Sequence, residues 1–163
     1  MRVKIRRVFL RIMRFFFSDK FQDRLTKFFS KKFVNQLYGV ATDKFMEFLL
    51  TAMDVFFFLW EDYRKNIEGF RGKYVFRTSK GPVAASATFK NGDMKVQTKA
   101  IADWNVRVTF KNPKALRSFL FSKDQDILDQ LLENAVEVDG NLNYLYKFGF
   151  MARDLERRLG ILL

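Results

Sequence analysis

The sequence predicts an α+β fold: an antiparallel five-stranded sheet covered by helices and preceded by two to three amphipathic helices. Three observations predict it. Residues 74–111 hold four short apolar runs separated by turn signals, of which Asn91-Gly92-Asp93 is the clearest. Residues 19–65 instead carry apolar side chains at helical spacing. After residue 112 the pattern predicts a helix, a short helix, a strand and a final helix, in that order.

The first 17 residues contain six basic residues and no acid, and residues 1–38 carry +9 of the chain's net charge of +12. A helix over this segment places four basic side chains along one side and leaves a broad apolar arc. That combination is typical of a helix lying at an anionic membrane surface, and it is too charged to span a bilayer. Packing on the protein's own domain, a targeting segment and nucleic-acid binding are the alternatives. The residues expected at the membrane surface are Lys4, Arg7, Arg11, Arg14, Phe9, Phe15 and Phe16.

Two further helices are predicted over residues 19–38 and 42–65, with Gly39 as a stop or hinge between them. The second is apolar nearly all round, which indicates burial between the domain and another apolar layer. Helix two, a second copy of the protein or lipid could supply that layer. We therefore expect a basic, Phe-rich helical module over residues 1–68 and a second domain over residues 69–163.

The four runs of the sheet region are Tyr74–Lys80, Val83–Lys90, Met94–Ile101 and Trp104–Lys111, and we expect them to form an antiparallel meander. A fifth strand, Val136–Val138, is expected at an edge. The second run begins Val-Ala-Ala-Ser-Ala, where larger residues would normally pack best. Its small side chains allow either close docking of a helix or an internal void.

Composition excludes several kinds of chemistry. The chain has no cysteine and no histidine, which removes disulfides, thiolate and imidazole metal sites, and Ser-His or Cys-His nucleophiles. No glycine-rich segment has the spacing of a phosphate-binding loop. We expect no enzyme activity, no catalytic residues, no cofactor and no metal. Nucleic acid is not an expected partner, because base-stacking platforms do not alternate with the charges.

One segment carries a family resemblance. It reads V-R-V-T-F-K-N-P-K-A-L-R-S-F-L-F and then D-I-L-D-Q-L-L-E-N-A-V-E-V-D-G-N-L, and it resembles the second half of the SCP2-like (sterol carrier protein 2) lipid-binding domain. The resemblance covers roughly residues 70–155. Three turns depart from the family pattern: Phe121-Ser122 and Asn134 stand where glycine is common, and Gly-Asp becomes Asp139-Gly140-Asn141.

The resemblance implies non-enzymatic lipid binding or transfer. A fatty acyl chain, a sterol or hopanoid, or a polyprenyl chain would lie in an apolar cavity between the sheet and the C-terminal helices. The protein would then be cytoplasmic and peripheral to a membrane. The alternative is a structural or interaction protein that dimerises or binds a partner through its Phe-rich helices and takes no ligand. The expected cavity residues are Phe76, Ala85, Ala87, Phe89, Val96, Trp104, Val106 and Val108 in the floor, and Leu116, Phe119, Leu120, Leu128, Leu132, Leu145, Phe148, Gly149 and Met151 in the roof.

Overall fold

The computed structural model describes residues 19–39, 42–79, 83–121, 131 and 133–161. The membrane-surface prediction for residues 1–17 and most of the predicted short helix near Asp126 lie outside the described residues. The elements in chain order are helix α1 (Asp19–Gly39), helix α2 (Thr42–Leu59), helix α3 (Glu61–Arg64), a 3₁₀ turn (Lys65–Ile67), strands β1 (Gly72–Thr78), β2 (Val83–Lys90), β3 (Asp93–Gln97) and β4 (Val106–Phe110), helix α4 (Pro113–Phe121), strand β5 (Val136–Gly140) and helix α5 (Leu142–Arg158).

The α+β prediction is confirmed, and the five strands lie in the order β3-β2-β1-β4-β5. The hairpin at Asn91-Gly92 is present: both residues have positive φ, and Lys90 pairs with Asp93. β5 lies at an edge, as expected. The prediction of an antiparallel meander is wrong at the fourth strand. β4 pairs in parallel with β1 and does not pair with β3. Turn residues specify only adjacent hairpins, whereas residues 98–105 carry the chain from β3 across the sheet to β4 without such a local turn signal.

The predicted third helix is also interrupted. α2 ends at Leu59, Trp60 has an extended backbone, and α3 restarts at Glu61. The ring of Trp60 stacks on that of Phe56 at 4.1 Å, and the new direction buries Tyr63 completely. The apolar spacing continues across the break, so periodicity alone could not reveal it.

α1 supplies the second apolar layer over α2. The ring of Phe29 meets that of Phe56 at 5.2 Å, and the ring of Phe33 meets that of Phe45 at 5.5 Å. On its other side α2 packs on β2 and β3, where Ala85 and Ala87 are fully buried. The small side chains of β2 therefore accommodate close helix docking.

One hydrophobic core runs from α1 and α2 through the sheet to α5, without a break at residue 68. Phe57 of α2 links the parts, since its ring stacks on Tyr63 at 4.2 Å and meets Phe89 of β2 at 6.2 Å. The division into two domains at this point stays a prediction. Among the described helices, none has the length and apolarity needed to cross a membrane.

Candidate lipid-binding site

The covered face of the sheet is apolar because the side chains of each strand alternate between its two faces. Register aligns Tyr74 with Ala87 and Val106, and Phe76 with Ala85 and Val108, so these side chains share one face. The outer face instead carries Lys73, Arg107 and their neighbours. The described floor residues that are fully buried are Phe76, Ala85, Ala87, Phe89, Val106 and Val108, whereas Val96 is half-buried.

Trp104 lies apart from the other floor residues. It precedes β4 and does not belong to it, and its ring is half-buried. The guanidinium of Arg107 lies over that ring at 5.0 Å, and the ring also lies near the Cα atom of Gly140. Trp104 therefore caps the end of the β4–β5 pair.

α4 forms one part of the roof. As the sequence predicts, Asn112-Pro113 starts it: the side-chain oxygen of Asn112 accepts a hydrogen bond from the Ala115 backbone N–H at 2.9 Å. The predicted roof residues Leu116, Phe119 and Leu120 are all buried. Leu128 and Leu132 lie outside the described residues.

α5 forms the other part of the roof. Its N-cap is Asn141, whose side chain accepts a hydrogen bond from the Asn143 backbone N–H at 2.9 Å. Leu145, Phe148, Gly149 and Met151 are buried. Their place in the roof of a ligand cavity stays a prediction. The structure thus brings the described roof residues over the covered face of the sheet.

Aromatic rings fill the space between β1 and the middle of α5. Phe148 lies 4.6 Å from Phe76 and 5.6 Å from Tyr74, measured between ring centroids. The Tyr74 hydroxyl donates a hydrogen bond to the Tyr144 carbonyl oxygen at 2.9 Å. Burial raises the pKa of the Tyr74 phenol, so this hydroxyl stays protonated and holds the first turn of α5 on β1.

Gly149 has space beside it. It is buried in the middle of α5, yet a Cβ atom placed on it meets no heavy atom within 4 Å, apart from its chain neighbours and its own helix backbone. Buried helix positions normally touch several residues. No described side chain is therefore in close contact with the position that a Cβ atom of Gly149 would occupy.

Two carboxylates of α5 were missed at the sequence level. Asp154 accepts hydrogen bonds from Asn66 at 3.0 Å, from Arg157 at 2.7 Å and from Arg158 at 3.0 Å. Glu156, 7% exposed, lies on the apolar side of the helix. For Glu156, the available signal in the sequence was its helical spacing from Gly149 and Ala152, which are buried.

A separate groove of about 490 Å³ opens on the surface where α2 breaks. It lies among α1, the α2–α3 junction and the end of α5, away from the expected cavity. Its walls mix both signs of charge with apolar surface; the lining residues are Gln22, Leu59, Trp60, Glu61, Asp62 and Arg158.

A comparison with solved structures decides the fold family. The solution structure of the sterol carrier protein domain 2 of Helicoverpa armigera superposes with a TM-score of 0.50 at 16% identity, covering 72% of this chain and 91% of that one. The fold is SCP2-like.

Two other structures are also similar. A UbiJ-SCP2 ubiquinone synthesis protein has a TM-score of 0.46 at 16% identity, covering 58% of this chain and 78% of that chain. The stereoselective inverting sec-alkylsulfatase Pisa1 from Pseudomonas sp. has a TM-score of 0.44 at 16% identity; the match covers 61% of this chain but only 16% of the sulfatase. No family model matches the sequence, and no curated protein does. The SCP2-like resemblance read from residues 70–155 is thus confirmed as a fold.

Proposed function

We propose that the chain is a non-enzymatic lipid-binding protein. It holds a hydrophobic ligand, such as a fatty acyl, sterol, hopanoid or polyprenyl chain, between the sheet and the C-terminal helices while it is docked at an anionic membrane surface. The SCP2-like fold and the name of the Helicoverpa armigera domain support the ligand class. The observation that carries the proposal is the apolar layer between the sheet and α5, where no described side chain comes within 4 Å of the position that a Cβ atom of Gly149 would occupy.

The mechanism is hydrophobic and steric. Each acyl methylene that leaves water gains about 0.8 kcal/mol, so chain length and bulk set affinity. The rings of Phe76 and Phe148 block one part of the layer. A ligand therefore lies elsewhere between the sheet and the C-terminal helices.

The direct test is chemical identification of what the purified protein carries. Organic-solvent extraction followed by mass spectrometry should yield a lipid, and the delipidated protein should take up a fluorescent fatty acid or sterol. A clean extract together with no uptake of either probe would contradict lipid binding.

The outer face of α1 supports docking at an anionic membrane. Phe21 and Phe28 are exposed there, Phe28 by 57%. Five exposed basic residues accompany them: Lys20, Arg24, Lys27, Lys31 and Lys32. The acids of α1 are Asp19 and Asp23, and Asp23 is paired with Lys27. Exposed rings among cations are typical of helices that lie in the headgroup layer.

A sedimentation assay with vesicles tests the docking. The protein should pellet with anionic but not with neutral vesicles, and salt should weaken the binding. Phe28→Ala should lower vesicle affinity roughly tenfold, because a buried phenylalanine ring contributes about 1.5–3 kcal/mol. Phe150→Ala, which removes an exposed ring from α5, is the matched control. Equal pelleting with neutral vesicles would contradict electrostatic docking.

The second candidate is a structural or interaction protein without a ligand. The contact between Phe76 and Phe148 favours it, since these rings already fill part of the layer. A clean extract combined with a homodimer in analytical ultracentrifugation, lost on Phe28→Ala, would support this candidate.

A further inference from the structure

One strip of α5 exposes large apolar side chains to solvent. Among the described residues, exposed large apolar side chains occur on α1 and on α5, where Phe150 is 59% and Tyr146 is 47% exposed. At 3.6 residues per turn, every exposed residue of α5 falls within a sector of about 100°. The residues of this exposed strip are Leu142, Asn143, Tyr146, Phe150, Arg153 and Arg157.

Along the helix axis the exposed strip has an apolar half and a basic half. Its large apolar residues lie between positions 142 and 150 at spacings of four residues, and Arg153 and Arg157 follow in the last turns. The side chain of Arg157 is 71% exposed although it donates a hydrogen bond to Asp154. The ammonium of Lys147, beside the strip, lies 5.6 Å from the ring centroid of Phe150. On α5, whose residues are all described, no acid is exposed.

This arrangement does not suit a membrane surface. A helix that lies in the headgroup layer has its cations on a face separate from the apolar one, where they reach the phosphates. Around the axis of α5, Leu142 and Phe150 lie at about 0° and 80°, and the two arginines lie between them at about 20° and 60°. A membrane that covered the apolar half would therefore draw Arg153 and Arg157 toward the hydrocarbon, which costs free energy.

A second copy of the chain does not complement the exposed strip either. In a twofold pair of antiparallel α5 helices, the basic half of each copy would face the apolar half of the other, where α5 exposes no acid. The positive N-terminal end of each helix would also lie beside the arginines of the other. Parallel helices would place arginine against arginine. Self-association would therefore leave the cations without opposite charges.

An acidic amphipathic helix complements both halves. When it lies antiparallel to α5, its first turns face Arg153 and Arg157, and its later turns face Phe150, Tyr146 and Leu142. Acidic side chains in the first turns of a helix are also favoured by the dipole of that helix. The exposed strip is about 23 Å long at 1.5 Å per residue, so the partner helix needs about four turns.

We propose that the exposed strip of α5 binds an amphipathic helix of a partner protein, whose acidic first turns pair with Arg153 and Arg157 and whose apolar later turns cover Phe150, Tyr146 and Leu142. This interaction is independent of lipid binding. The contact area is small, as in transient complexes, so we expect an affinity in the micromolar range.

Three labelled synthetic peptides, mixed with the full chain and followed by fluorescence anisotropy, test the proposal. The first has glutamates in its first two turns and leucines four residues apart in the next two. The second has lysines in place of the glutamates, and the third has the residues of the first in an order without the four-residue spacing. The first peptide should bind about tenfold more tightly than the other two, and added salt should weaken its binding.

Two variants of exposed residues test the two halves of the strip. Phe150→Ala should weaken binding of the acidic peptide about tenfold, because apolar contact area is lost. Arg153→Glu should weaken the acidic peptide about tenfold and strengthen the basic peptide by a similar factor, because it reverses the charge that each peptide meets. Lys95→Glu makes the same charge reversal on β3 and is the control, which should leave both affinities within about twofold. Thermal melts confirm that each variant is folded.

The proposal is wrong if the three peptides bind equally or not at all, or if Arg153→Glu leaves the preference for the acidic peptide unchanged. Pelleting with vesicles that is lost on Phe150→Ala would instead assign the exposed strip to a membrane. A homodimer in analytical ultracentrifugation that dissociates on Phe150→Ala would assign it to a second copy. Either of these results would also overturn the proposal.

Discussion

Asp154 and Glu156 lie two positions apart on α5 and meet opposite electrostatic environments. Burial acts to raise the pKa of Asp154, but the hydrogen bonds from Arg157, Asn66 and Arg158 outweigh it, and its pKa is lowered. Burial raises the pKa of Glu156 without such compensation. One carboxylate therefore stabilises the fold, and the other is tolerated at a cost.

Asp154→Asn should destabilise the protein at neutral pH by roughly 1.5–3 kcal/mol, the usual range for hydrogen bonds to charged groups. Because the folded-state pKa is lowered, the contribution is present above the ordinary value of 3.8 and is lost as pH falls through the folded value. Urea unfolding across pH should show the wild type and the variant converging in acid. Asp139→Asn, which removes an exposed ion pair with Arg107, is the control and should cost less than about 1 kcal/mol. A difference in the free energy of unfolding between wild type and variant that stays constant with pH would contradict a lowered pKa of Asp154.

Glu156→Gln should change the free energy of unfolding in the opposite direction. A raised folded-state pKa means that ionisation opposes folding, so the penalty is absent below the ordinary value of 4.5 and grows as pH rises through it. The variant should therefore be more stable than the wild type at neutral pH and equal to it in acid, as measured by the same urea titrations. A less stable variant at neutral pH would mean that the carboxylate has a stabilising partner.

At the scale of elements, turns and helix starts between neighbouring segments were predictable from the sequence, whereas contacts between distant strands and helices were not. Asn91-Gly92 specifies the β2–β3 hairpin, and Asn112-Pro113 specifies the start of α4, because both depend on local backbone geometry. The parallel β1–β4 pair depends on a crossover whose path is not encoded by local turn residues. The break at Trp60 depends on burying Tyr63, which donates a hydrogen bond to the Met151 carbonyl oxygen at 2.8 Å.

Gly140, at the end of β5, adopts a backbone conformation that the pairing of β4 with β5 requires. Its φ is +103°, and a Cβ atom there would lie 2.3 Å from the Asn105 carbonyl oxygen. Gly140→Ala should cost roughly 1–3 kcal/mol from backbone strain alone, with the clash adding to it. Gly92→Ala is the matched control, because Gly92 also has a positive φ but open space beside it. Equal losses for the two variants in urea unfolding would show that the approach of Asn105 is unimportant.

The apolar residues of the candidate site were predictable from the sequence, whereas the shape of the site was not. Strand alternation and helical spacing placed Phe76, Val108 and Phe148 on facing surfaces, as the structure has them. Neither pattern could tell that Phe148 touches Phe76, since this contact depends on how far apart the two layers lie. Glu156 was missed because a charged residue on a helix is ordinarily solvated.

At the scale of the whole molecule, α1 and α2 share one hydrophobic core with the sheet and α5. α1 lies under the end of α5, where the Ser30 hydroxyl donates a hydrogen bond to the Leu159 carbonyl oxygen at 2.7 Å. The face of α1 turned to solvent is basic, whereas the layer between the sheet and α5 is apolar. In the proposed function the first surface meets the membrane and the second receives the lipid.

The central claim is that a lipid enters this layer and does not merely adhere to the surface. Backbone amide NMR of the full chain, titrated with a long-chain alcohol, tests it most directly. We expect shifts concentrated in β4, α4 and α5, saturating at one lipid per chain. Shifts confined to the exposed face of α1, or no shifts at all, would contradict the account.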